Sequence, residues 1–402
     1  MNRKKTREDR LVPVLLFAAV FATEFFLRRH TFLQKEYFSL FLNTPDYWNE
    51  LWNGPHPLIT LSGDFLAQFY RIAWVGPALV ALAATLCFLL LRTFLRRFQI
   101  PLATLIFAAL LIAALLPKSR ERERWARVEY GSLHHQWDKV IAAATPQAAT
   151  EDPMLMPYAF LALSERGQLA ESFFRYPVTG PQDIDAEGEL TLHGYLFSQV
   201  QAEAMGCSNE AIHNTFQMAC TLPHGNSLGT IRSLIKYNIA AGNSLTALKY
   251  ADILARNPAN RATAKAAHQI IARMDSQTNL DTGPSESAAT ITHNTLYNMK
   301  AMAQEGLFNA AAAERARCLL LLQRDLRSFI ATFPEDEDYS LLPDTYQQAL
   351  CLIVNPQEAE RLSPRVQQSF ELYSKAFNQP RKKGTANAIM PGSYWDYYFL
   401  SF

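Results

Sequence analysis

The chain is 402 residues long, enough for two or three domains, and its 49% hydrophobic content supports a sizeable core, which excludes disorder over most of its length. Its 38 basic against 37 acidic side chains leave a net charge of +1, which argues against nucleic-acid binding by overall positive charge, and five cysteines exclude a disulfide-built miniprotein. A mean hydropathy of −0.08 is that of a soluble protein, but it averages two halves of opposite character.

Residues 1–117 carry 12 Lys/Arg and 7 Asp/Glu, a net of +5, whereas the remainder carries 26 and 30, a net of −4. The first part is expected to be a membrane domain. Its apolar runs 11–27, 72–91 and 100–116 contain 17, 20 and 17 residues, close to the roughly 20 helical residues that cross a hydrocarbon core of about 30 Å. The first run follows Arg3, Lys4, Lys5, Arg7 and Arg10, and it has two readings. It is an uncleaved anchor by its length, or a secretory signal ending Val20-Phe21-Ala22.

Glu24 lies inside this run, one helical turn before Arg28. An ionisable residue in a membrane helix is a functional candidate; pairing with Arg28 is its structural alternative. Over 58–70, Leu58, Leu61, Phe65 and Phe69 recur at helical spacing and Ile72 continues the pattern, which predicts an amphipathic interfacial helix. This helix carries Asp64, with Arg71 just beyond it, and both are candidate polar residues at the membrane surface. Tyr47, Trp48, Trp52, Tyr70 and Trp74 fit an aromatic belt. Five basic residues in the first ten, and Arg92, Arg96 and Arg97 between the second and third runs, favour the cytoplasm. Three crossings then leave the protein in the inner membrane with residues 118–402 in the periplasm. Lys118, Arg120, Arg122, Arg124 and Arg127 at the exit of the third run pull the other way.

Residues 118–380 are expected to form a helical-repeat domain. Gly167, Gly206, Gly242 and Gly306 each separate two apolar helical patterns, at spacings of 39, 36 and 64. The clearest unit runs from Ser227 to Pro258: Leu234 and Asn238 on one helix, a Gly242-Asn243 turn, then Ala247, Ala251 and Leu254 on the next, with proline as the stop. In the preceding unit the order of Tyr195, Gly206, Ala211 and Pro223 resembles the tetratricopeptide pattern of aromatic, inter-helix glycine, small residue and closing proline. Such hairpins bury their apolar faces by stacking, so the fold class is all-α, with N-terminal transmembrane helices followed by a tetratricopeptide-like α-solenoid. Further on, Phe308, Ala312, Ala316, Leu319, Leu322, Leu326, Ile330 and Phe333 predict one long amphipathic helix, and Val366, Phe370, Tyr373 and Phe377 a shorter one. Asp275 to Ser287 reads as a polar surface loop.

The tail, 381–402, joins a basic linker to six aromatic residues in its last nine positions. Trp395 and Tyr398 are expected to dock near Phe370 and Phe377 and cap the open end of the stack; an exposed peptide read by a partner is the alternative.

Phe65, Gln68, Phe69, Tyr70, Trp74 and Gly76, the block from Gly167 to Pro177, the block from Leu342 to Ala349, and the terminal aromatic cluster together resemble a family of Gram-negative bacterial membrane proteins. The resemblance implies a polytopic inner-membrane protein with a C-terminal tetratricopeptide-like helical domain, and it implies no activity.

Chemistry-bearing motifs are sparse. The nine histidines form no His-Glu-x-x-His and no i, i+4 pair beside an acid, and there is no Cys-x-x-Cys, so no metal site is expected. His134 and His135, adjacent on a helix, point about 100° apart and make poor co-ligands. Phosphate loops, dinucleotide turns and nucleophile elbows are missing from the sequence, and no cofactor is expected. The run from Glu335 to Asp338 lacks the alternating spacing of a calcium loop. The sequence therefore predicts a membrane-anchored scaffold with the lipid bilayer and an unidentified protein or peptide as partners. The competing expectation is an accessory subunit of a membrane enzyme or transporter acting on envelope glycans or lipids.

Overall fold

The computed structural model describes residues 2–95, 120–184, 191–277, 310–379 and 388–400. Every regular element among them is helical. The N-terminal helices are α1 (Asn2–Phe38), α2 (Pro45–Asn53), α3 (Pro57–Ala67) and α4 (Val75–Leu95), followed by helical residues 120–133 (α5). Next come α6 (Trp137–Ala143), α7 (Pro146–Glu151), α8 (Leu155–Glu165), α9 (Leu169–Ser172), α10 (Leu192–Ala204) and α11 (Ser208–Cys220). They are followed by α12 (Leu228–Ala240), α13 (Ser244–Ala255) and α14 (Arg261–Gln277). The last six are α15 (Ala310–Leu322), α16 (Leu326–Ile330), α17 (Asp344–Leu350), α18 (Pro356–Ala359), α19 (Pro364–Phe377) and α20 (Tyr394–Leu400). The chain divides into two compact units, Met1–Tyr130 with Ile212–Glu286, and Gly131–Ala211 with Ser287–Phe402. These units do not follow the sequence division near residue 117.

In the first unit, α1 packs along α4 and then against α12. Both contacts are made close by glycine. A Cβ on Gly76 of α4 would lie 2.5 Å from the Phe32 ring, and one on Gly229 of α12 would lie 2.4 Å from the Tyr37 ring. The backbone after α1 is pinned to the helices it crosses: Leu228 N donates to Ser39 O (2.8 Å), Asn43 N to Arg256 O (3.1 Å), and Asn257 Nδ2 to Phe41 O (2.7 Å). Leu40 thereby joins Leu228, Ile231, Leu234, Ala247, Ala251 and Ile271 in one buried cluster.

The hairpin of α12 and α13 follows from local signals. Ser227 caps α12 by accepting from Thr230 N (3.1 Å) while Thr230 Oγ1 accepts from Ser227 N (2.7 Å). Gly242 closes the helix at φ 77°, a left-handed value that costs glycine little, and Asn243 N reaches back to Asn238 O (2.8 Å). Ala247 and Ala251 are completely buried, so the helices approach closely.

In the second unit α8 is the central element, buried from Leu155 to Ser164 with α6, α9 and α15 packed on it. Phe160 sits 4.6 Å from Phe173 and 5.2 Å from Tyr176, ring centre to ring centre. The single long helix expected from 308 to 333 is two helices in the described part. Arg324 adopts φ 56°, and Asp325 starts α16 by accepting from Ser328 N (3.0 Å). The apolar spacing keeps its phase across Gln323-Arg324-Asp325, which is why the periodicity does not register the break. Left-handed backbone at a non-glycine residue costs roughly 1–2 kcal/mol, and Arg324 offsets it with its own contacts, donating to Tyr397 O (3.2 Å) and stacking over the Tyr397 ring.

The membrane runs are placed as follows. Run 11–27 lies in α1, which continues without interruption to Phe38; Leu11–Phe38, 28 residues, is the one stretch among the described residues long and apolar enough to cross a bilayer. Run 72–91 begins in a turn, and its helix, α4, has a shorter apolar stretch, Val75–Leu90. Run 100–116 and the basic linker 381–387 lie outside the described residues, as does the expected loop after Gln277. The segment 58–70 is helical to Ala67 and turns thereafter.

Candidate functional site

A polar cluster beside an exposed apolar surface is built on α2 and α3. Thr44 caps α2, accepting from Tyr47 N (3.3 Å), and Pro45 presets the first helical turn. That places Tyr47 and Leu51 inward against Phe41 and Leu61. α3 then brings Asp64 beneath Tyr47, whose hydroxyl donates to Asp64 Oδ2 at 3.1 Å. His224 completes the group, with Nε2 3.8 Å from the same oxygen and Nδ1 2.8 Å from Glu50 Oε1. Burial raises the Asp64 carboxyl above the ordinary aspartate range, while the Tyr47 hydrogen bond and the His224 charge hold it back. Burial and the neighbouring Asp64 charge push the Tyr47 phenol well up, so it remains a neutral donor. The outer face of α3 is apolar: Leu58 and Ile59 are 68% and 71% exposed, with Phe65 and Leu66 open beside Asp64.

The other sequence candidates have surroundings of their own. Glu24 lies within α1, its Oε1 accepting from Arg28 Nη1 at 3.0 Å and its Oε2 buried with no hydrogen-bond partner. The helix runs on beyond residue 27, so this pair sits in mid-helix and not at a helix end. Arg71 is exposed and donates to Thr263 Oγ1 (2.7 Å). Trp395 is completely buried, donating from Nε1 to Gln348 O (2.8 Å), with ring centres of Phe370 and Tyr373 at 5.2 and 5.4 Å. Tyr398 is half-buried against Tyr394, Phe399 and the Arg324 guanidinium. Two further tyrosines of the terminal aromatic cluster, given no docking role by the sequence, satisfy the C-terminal carbonyls of α15: Tyr394 donates to Leu321 O (3.3 Å) and Tyr397 to Leu322 O (2.8 Å).

A second buried polar site escaped the sequence altogether. Glu123 of α5 accepts from His30 N (3.0 Å), His30 Nδ1 (2.6 Å), Thr31 N (2.9 Å) and Thr31 Oγ1 (2.9 Å). Burial alone would raise this carboxyl, but the four hydrogen bonds together hold it below the ordinary glutamate range. Its neighbours in sequence mark it as one charge of a mixed basic stretch; nothing local signals a partner 93 positions away. Glu36 is similarly engaged, taking both terminal nitrogens of Arg232 at 2.6 and 2.7 Å.

No group of three metal-ligating side chains occurs among the described residues. His135 pairs with Glu203 (2.9 Å) beside the Trp137 ring, and Asp338 caps a turn by accepting from Ser340 N and Oγ. The five cysteines are free thiols, with Cys207 and Cys318 buried. Burial, together with the Glu314 charge, pushes the Cys318 thiol far up, which makes it a poor nucleophile.

No curated protein and no solved structure matches the chain. The profile of a family of unknown function (DUF6057) matches residues 4–118 and 114–401, almost the whole sequence. The chain therefore belongs to that family.

Proposed function

We propose that the protein is a membrane-anchored helical scaffold that binds a protein or peptide partner in the cell envelope. One observation carries this reading: α1 is apolar from Leu11 to Leu27, with Leu15 and Phe26 exposed, and its C-terminal end is clamped into the hairpin of α12 and α13 through Glu36, Tyr37 and Leu40. A single helix thus serves as both membrane segment and structural strut, which ties a helical body directly to the bilayer. The run 72–91 and the run 100–116 complete a polytopic anchor in the inner membrane, and the basic residues at 3–10 and 92–97 put the remainder in the periplasm. Tetratricopeptide-like stacking of the hairpins supplies an extended recognition surface. Alkaline extraction of membranes, a reporter fused after Gly131 and proximity labelling of the native protein test the three parts in turn. Recovery in the pellet, an extracytoplasmic reporter and a recurrent neighbouring protein are the expected results; a reporter active only in the cytoplasm overturns the topology.

The Tyr47, Asp64 and His224 cluster favours a second reading, an accessory subunit of a membrane enzyme or transporter that handles envelope lipids or glycans. Loss of a cellular phenotype in Asp64→Asn, with the protein folded and its neighbours unchanged, would support it.

A further inference from the structure

Next to the Asp64 cluster, the C-terminal end of α1 and the last turns of α3 enclose a cleft of about 400 Å³. Lys35, Ser39, Gly63, Asp64, Ala67 and Tyr70 line it. Two opposite charges share this cleft without neutralising one another. Tyr47 and His224 both engage Asp64 through Oδ2, and among the described residues neither Asp64 Oδ1 nor the Lys35 ammonium has a hydrogen-bond or ion-pair partner. At Gly63 the wall is open, with nothing within 4 Å of where a Cβ would stand. A ligand that satisfies both ends must carry a cation and an anion a few bonds apart. The hydrogen bond Oδ1 can accept requires an N–H on that cation. The neighbouring residues of α3, Phe65 and Leu66, are exposed and apolar, as are Leu58 and Ile59 two turns earlier, so the ligand also meets hydrocarbon.

We propose that this cleft seats the phosphoethanolamine headgroup of a bilayer lipid, with Lys35 against the phosphate, Asp64 Oδ1 accepting from the primary ammonium, and Phe65 and Leu66 against the acyl chains. The assignment rests on the membrane reading above. Tyr70 adds a donor at the cleft wall; burial raises its phenol, so it stays protonated. A trimethylammonium headgroup has the same charges but no N–H to give to Asp64, and a glycerol headgroup has no cation. The site therefore discriminates headgroups at Asp64, while Lys35 attracts any phospholipid.

The test uses the full chain purified in detergent, with bound phospholipid counted by native mass spectrometry after addition of phosphatidylethanolamine, phosphatidylcholine or phosphatidylglycerol. The expected preference for the ethanolamine lipid over the choline lipid is about tenfold, the loss of one charge-assisted hydrogen bond. Asp64→Asn should abolish that preference, and Lys35→Gln, at an exposed position that folding tolerates, should weaken retention of all three lipids alike. Equal retention of the ethanolamine and choline lipids by the wild type, or a preference that survives Asp64→Asn, overturns the site. Retention of the lipid against excess O-phosphoethanolamine supports a bilayer source; displacement reassigns the cleft to a soluble phosphoamine and overturns the lipid assignment. A chain that resists alkaline extraction yet shows no headgroup preference overturns the site alone, whereas release by alkali overturns the anchoring reading and this assignment with it.

Discussion

Phe26 of α1 is 73% exposed and Phe160 of α8 is fully buried, although both lie in apolar helical stretches. The two helices meet the same problem in different ways. α8 is surrounded by α6, α9 and α15, so its apolar side chains are removed from water by protein. α1 leaves Leu15, Phe26 and Leu27 exposed although one side of it packs along α4 and Glu24 is buried, and it is more fully enclosed from about His30 onward, where Glu123, Arg232 and Gly229 engage it. Apolarity alone thus does not say whether a helix is buried in the protein or exposed on it.

The sharpest way to break that contrast is to truncate one ring in each helix. Phe160→Ala should cost about 3–5 kcal/mol, because the rings of Phe173 and Tyr176 cannot fully close the space. Phe26→Ala should leave the folding stability of the detergent-solubilised chain nearly unchanged, since the ring is 73% exposed and meets only the edge of the adjacent Phe25. Denaturant unfolding of both variants measures the difference; equal losses would mean that α1 is buried as α8 is. Trp395→Ala belongs with the first case, and a comparable loss is expected there, with the indole donating to Gln348 O inside a ring cluster.

Overpacking comes next. Ala251 is completely buried in the cluster shared by α12, α13 and Leu40, so Ala251→Phe should cost about 1–3 kcal/mol and lower the thermal midpoint. An unchanged midpoint would place Ala251 outside that contact.

What the sequence makes legible is what is encoded locally. Ser227, Gly242, Ala247, Ala251 and Pro258 announce a cap, a left-handed turn, two close-packing positions and a stop within 32 positions, and α12 and α13 follow them. Asp64 is legible as a candidate because it is an acid in an otherwise apolar amphipathic segment. Its surroundings are not: Glu50 reaches His224 across 174 positions, a pairing that only tertiary packing creates. The break at Arg324 is hidden for the opposite reason, since a polar tripeptide of in-phase length leaves the periodicity intact and the left-handed conformation is stabilised by Tyr397, 73 residues on. The grouping of residues 212–286 with the N-terminal helices is equally invisible to a division drawn from composition.

The smallest effect sharpens the comparison at the point where α1 changes character. Glu123 holds His30 and Thr31 through four hydrogen bonds, and in Glu123→Gln one acceptor oxygen becomes an NH2 group facing donors. The loss at neutral pH should be about 1–2 kcal/mol. Its pH dependence has a definite sign. The folded carboxyl titrates below the ordinary value of 4.5, so the unfolded chain binds the proton more readily and ionised Glu123 favours the fold. That contribution is complete above the unfolded value and disappears as pH falls through the lowered folded one. Wild type and Glu123→Gln should therefore differ in thermal midpoint at pH 7 and converge as the medium is acidified below the glutamate range, where the protonated acid presents a donor of its own. A gap that stays constant into acid would show that the glutamine variant fails by misfit and that charge at position 123 contributes nothing to holding α1.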